Sequence, residues 1–155
     1  MTPAINAAKK AKIIYTTHEY AHDPSSESYG TEAANKLGIP EERVFKTLVV
    51  KHGTKELAVG VVPVSTMLNM KLFAKAIGAK KASMAEASDA ERATGYVLGG
   101  VSPLGQKKRL KTIIDSSANK YPTIFVSAGR RGMDIELKPQ DLRKLTCGKF
   151  AEICK

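Results

Sequence analysis

The chain has 155 residues, 43% hydrophobic and 26% charged, enough to bury a core and too apolar for a disordered polymer. Lys and Arg outnumber Asp and Glu by 25 to 15, and the formal net charge of +10 favours a polyanionic partner such as nucleic acid. No apolar run is long enough to span a membrane, "MTPAINAAKKAK" lacks a signal-peptide core, and two cysteines are too few for a disulfide framework.

Thr2-Pro3 opens a helix, with a capping hydroxyl and proline at the first helical position. "KIIYTTHEYAHD" reads as extended chain ending at Asp23-Pro24, and a second helix is expected from about Thr31 to Leu37, stopped by Gly38 and Pro40. "RVFKTLVVKH" and "ELAVGVVPV" form a hairpin around Gly53, with strands buried on both faces. "NMKLFAKAIG" is a short amphipathic helix capped by Asn69, and "SDAERATG" carries a Ser88–Glu91 capping box for another. Strands are expected at "YVLGG", "TIIDS", "TIFVSAG" and "DIEL", and Pro139 starts a last helix through Leu142 and Leu145. This order gives a mixed α/β (α+β) domain over residues 1–155, with the sheet dominating the core.

Lys46 is the first candidate for chemistry. It shares a strand face with Leu48 and Val50, so it either snorkels from a strand end or points into a pocket. Partly desolvated, its ammonium would suit a phosphate or a developing oxyanion. Gly99-Gly100 either lets main chain approach a ligand or marks a bulge. Gly100 and Gly105 have phosphate-loop spacing, but Gln106 stands where the lysine belongs, which excludes a nucleotide-hydrolase loop. Lys107, Lys108, Arg109 and Lys111, with Arg130 and Arg131 of a second glycine loop, could track phosphates. Ser127 has no histidine nearby in sequence, and Cys147 and Cys154 read as structural. No protein nucleophile and no metal site stands out.

The segments "HEYAHD", "VFKTLVV", "GYVLGGVSPLGQKKRL" with "TIIDS", and "VSAGRRGMDIEL" together resemble the YbaK/EbsC family, which deacylates cysteinyl-tRNA(Pro). The resemblance spans almost the whole chain in order and weakens after about Leu137. It implies a barrel-like mixed β-sheet flanked by short helices, no cofactor, and a cytoplasmic trans-editing enzyme. Cys-tRNA(Pro) would be the substrate, and prolyl-tRNA synthetase a partner. In the family's proposed mechanism the substrate's own thiol attacks its ester carbonyl and leaves as a thiolactone. The resemblance further implies that Lys46 is essential, that Gly99 and Gly100 present backbone donors to the carbonyl, and that Tyr20, Ser127, Gly129 and Asp134 line the pocket. Lys107, Lys108, Arg109, Lys111, Arg130 and Arg131 would then hold the tRNA. A deacylase specific for alanine and a non-catalytic RNA-binding module stand as alternatives. The second is weakened by the absence of tryptophan for base stacking.

Overall fold

Thr2 does what its position dictates. In the computed structural model, which describes residues 1–26 and 28–155, its hydroxyl accepts from Ile5 N–H at 3.2 Å and starts helix α1 (Pro3–Lys10). The same hydroxyl donates to Ala128 O, pinning α1 to a strand far along the chain. Strand β1 (Tyr15–Glu19) follows. Helix α2 (Tyr29–Leu37) begins two residues before its sequence-based start, because Ser28 and not a later residue caps it, accepting from Thr31 N–H at 3.3 Å. Gly38 ends it in the left-handed region, as its position suggested.

The hairpin forms as expected from β2 (Phe45–His52) and β3 (Glu56–Pro63). Helix α3 (Met70–Ile77) is capped by Asn69, which accepts from Leu72 N–H at 3.0 Å. Strand β4 (Ala82–Met84) and helix α4 (Ala87–Thr94) come next. Here the capping box fails: the cap position is Glu86, Ser88 lies inside the helix, and Glu91 accepts instead from Leu98 N–H at 2.9 Å. The chain closes with β5 (Lys111–Asp115), β6 (Ile124–Arg130), β7 (Met133–Leu137), α5 (Pro139–Thr146) and β8 (Lys149–Ala151).

One expected strand is absent. "YVLGG" is a chain of turns, for two reasons. Gly95 leaves α4 with φ of 82° and Gly99 has φ of 94°, both outside the extended region. Gly100 N–H also closes a turn onto Val97 O at 2.9 Å. Tyr96 is buried inside this loop and donates its hydroxyl to Leu104 O at 2.5 Å.

The strands make two sheets, β1-β7-β6 and β4-β2-β3-β5-β8. The second is mixed: β2 is antiparallel to β3 and β4, whereas β5 is parallel to β3 and β8. Alternation along β3 explains its uniformly apolar sequence. Val59 and Val61 enter the core between the sheets, while Ala58 and Val62 enter a second core beneath Phe73 and Ile77 of α3. A parallel bridge, Val44 to Phe125, joins the sheets. Ala33 and Ala34 of α2 cover that junction. Beyond the bridge β2 and β6 part, and the site lies in the gap.

Candidate active site

The gap is a cavity of about 430 Å3 lined by Tyr20, Tyr29, Lys46, Thr47, Gly99, Ser127, Arg131 and Asp134, among others. A volume of this order is that of a small-molecule site. Lys46 is half-buried on β2 opposite Val62, and makes no ion pair within 4.0 Å among the described residues. Tyr29, Met84 and Leu98 expose apolar surface along the cavity wall.

Asp134 is 5% exposed, and burial pushes its carboxyl up to about 7. Tyr20 is also raised, first by burial and then by the nearby Asp134 charge. Arg131 lays its guanidinium 3.6 Å from the Tyr29 ring centroid and donates to Ser26 O at 3.2 Å. Two buried side-chain atoms among the described residues have no hydrogen-bond partner, Thr47 Oγ1 and Arg131 Nε, and both residues line this cavity. Buried polar groups are normally paired, so this wall is chemically unfinished.

The glycines do different work from one another. Gly99 lines the cavity, and a Cβ there would stand 2.7 Å from the Tyr29 ring. Gly100 is buried behind it, its N–H held by Val97 O and its C=O accepting from Ser127 Oγ at 3.2 Å. It therefore has no free N–H to offer a substrate carbonyl, contrary to what the resemblance implied for Gly100. Its lack of a side chain serves packing: a Cβ would meet Arg130 Cα at 2.9 Å. Gly100→Ala is expected to destabilise the protein by about 1–3 kcal/mol, because backbone must shift, and urea unfolding measures this. Gly129 has φ of 110° and packs under Tyr96. It bonds Ser127 Oγ through its N–H at 3.1 Å, so Ser127 is a strut between the two glycine loops.

The cation cluster does not stay together. Arg130 and Arg131 line the cavity, Arg130 also pairing with Glu19 at 2.9 Å. Lys107 and Lys108 bind the end of α4 through their N–H groups, to Thr94 O and Ala93 O. Lys108 and Arg109 line a separate depression with Lys10, where Arg109 also touches Cys147 Sγ. Lys111 lines a third, with Lys80 and Lys81, and its Nζ lies 3.4 Å from Ile77 O at the end of α3.

Neither cysteine lines the cavity, and burial pushes the Cys154 thiol up to about 11. The three histidines are engaged elsewhere, His18 with Glu136, His22 with Glu32 and His52 with Glu56. Among the described residues no group of three or more potential ligands is placed to hold a metal ion, and no helix is long and apolar enough to cross a membrane. The sequence did not single out Thr47 or Tyr29. Thr47 was hidden in an ordinary β-branched run, and Tyr29 lay between the extended chain ending at Asp23-Pro24 and the helix expected from about Thr31.

Residues 23–145 match the aminoacyl-tRNA editing domain family. The chain is 41% identical over 152 residues to a protein of Enterococcus faecalis named for Cys-tRNA(Pro)/Cys-tRNA(Cys) deacylation, EbsC, covering 98% of this chain and 92% of that one. Two solved structures share the fold. One is described as a trans-editing enzyme for prolyl-tRNA synthetase, with a TM-score of 0.86 and 20% identity over 99% of this chain and 95% of that one. The other is a hypothetical protein, with a TM-score of 0.87 and 21% identity over 99% and 100%. The match over most of the length, together with a relative at this identity along nearly the whole chain, means that the protein belongs to the aminoacyl-tRNA editing domain family.

Proposed function

We propose that the protein removes cysteine from mischarged Cys-tRNA(Pro), with the sulfur of the substrate as the nucleophile. One observation carries this reading. The cavity gathers Lys46, Tyr20, Asp134 and Arg131 around a space fit for an aminoacyl ester, while the cysteines and histidines stand outside it. Such a site supplies charge and enclosure and leaves the attacking group to its guest. The substrate thiolate adds to its own ester carbonyl, the C–O bond to the tRNA breaks, and the terminal hydroxyl leaves with a proton. The resulting four-membered thiolactone then opens with water to give free cysteine.

In this reading Lys46 neutralises charge developing at the ester or holds the adjacent phosphate, and Gly99 keeps the wall thin beside it. Arg130 and Arg131 hold the tRNA end, and the outlying depressions with Lys108, Arg109 and Lys111 hold its phosphates further away. Those contacts carry no base readout, so delivery by a complex of tRNA(Pro) with prolyl-tRNA synthetase supplies the selection of tRNA.

Deacylation of Cys-, Ala- and Pro-tRNA(Pro) tests the proposal. Rapid loss of cysteine alone is expected, unchanged in Cys147→Ser and Cys154→Ser. Faster release of alanine would overturn the substrate assignment, since alanine has no sulfur. Loss of turnover in a folded serine variant would move the reaction to a protein thiol, and tRNA binding with no turnover of any ester would leave only an RNA-binding module.

A further inference from the structure

The edge of β2 is open at one residue. Val64 N–H donates to Val44 O at 2.8 Å, on the side of β3, and Ala85 N–H donates to Val49 O at 3.1 Å, on the opposite side. Strand residues turn their N–H and C=O groups to alternate sides. Lys46 and Leu48 therefore face β3, and Thr47, like Val49, turns both main-chain groups toward the other edge. Strand β4 covers that edge only from Val50 to His52. Ala85 takes Val49, and the pairing of Val44 with Phe125 closes the other end. What remains is a window one residue long, at Thr47, in the wall of the cavity. The Thr47 hydroxyl is buried in the same wall without a partner.

We propose that Thr47 receives the aminoacyl group as a one-residue strand: its N–H donates to the ester carbonyl oxygen, its C=O accepts from the α-ammonium, and its hydroxyl takes a further ammonium proton. An edge-on pairing of this kind supplies fixed donors and acceptors at no cost in side-chain order. It also sets the substrate class. The window admits a single amino acid with a free α-amine, and excludes peptidyl or N-blocked esters, whose next residue would run into the covered edge. With the N–H of Gly100 held by Val97, the N–H of Thr47 is a donor to the oxyanion from the β2 side of the cavity, across from Gly99. The inference rests on the aminoacyl-ester reading above.

The test uses cysteine joined by an amide to 3′-amino-3′-deoxyadenosine, a stable analogue of the charged tRNA end. Amide hydrogen exchange at Thr47, followed by NMR, is expected to be fast in the free protein and slowed about 10-fold or more by the analogue. An N-acetyl version of the analogue is expected to bind about 10–100-fold more weakly, the size of one charged hydrogen bond. Thr47→Val is expected to lower kcat/KM about 5-fold, the effect of one neutral hydrogen bond. Thr47→Pro removes the N–H that faces the gap and is expected to lower kcat about 100-fold, as loss of an oxyanion donor does. Proline suits an unpaired strand edge; should this variant not fold, the exchange measurement decides alone. Binding that leaves Thr47 exchange unchanged, or equal binding of the N-acetyl analogue, overturns the inference and leaves the deacylase reading standing. Failure of the analogue to bind at all overturns both.

Discussion

Lys46→Met is expected to lower kcat/KM for Cys-tRNA(Pro) by about 100–1,000-fold, the range found when one preorganised electrostatic donor is lost. The unfolding midpoint should barely move. Methionine keeps an unbranched stem against the strand face that leads to Leu48 and Val50, so the substitution deletes a charge and little packing. Because Lys46 has no ion-pair partner within 4.0 Å among the described residues, no carboxylate is stranded by its removal. Single-turnover deacylation with matched urea curves separates the two effects. Turnover near that of the wild type would remove Lys46 from the reaction, whatever its place in the cavity.

Asp134→Asn is expected to stabilise the protein against denaturation as the pH rises, by up to about 4 kcal/mol, since a carboxyl moved from 3.8 to about 7 carries roughly that difference at 1.36 kcal/mol per unit. The cause is burial, and the sign follows from it. Below pH 3.8 the carboxyl is neutral in both states and burying it brings no ionisation penalty. Between 3.8 and about 7 the unfolded chain releases its proton while the folded one retains it, so stability falls steadily. Above that range both are ionised and the penalty is constant. Asparagine has no such titration. Urea unfolding of both proteins at pH 4.5 and pH 8 should show the gap opening with pH, and parallel behaviour would contradict the assignment. A cation placed beside Asp134 would offset the same penalty and favour the ionised form.

Much of this architecture could be read from local signals because local chemistry decides them. Thr2, Gly38, Asn69 and Gly78 sit where caps must sit, and the apolar run of β3 announced a strand covered on both sides. The failures have a common origin in contacts between distant segments. "YVLGG" has strand composition, yet Gly99 and Gly100 are required by the Tyr29 ring and the Arg130 backbone, which no local pattern reveals. Glu91 matched a capping box but found the N–H of Leu98. The run from Lys107 to Lys111 looked like one patch, whereas the chain turns between its members and sends Lys108 and Lys111 to different depressions. Lys46 and Gly99 stood out by residue type and position, Ser127 and Asp134 as pocket residues only by resemblance, and the structure brings these four to one cavity but leaves Gly100 and Gly129 outside its lining. Thr47 needed the pairing pattern of its neighbours, which exists only once the sheets are formed.

The seam between the two sheets has a consequence for the life of the chain. Tyr20 and Lys46 come from its first third, Gly99 from its middle, and Arg131 and Asp134 from close to its end, so neither sheet contains a working subset. Here β6 and β7 must dock beside β2 before the enclosure exists, so any opening of that seam dismantles the pocket while each sheet can keep its own pairing.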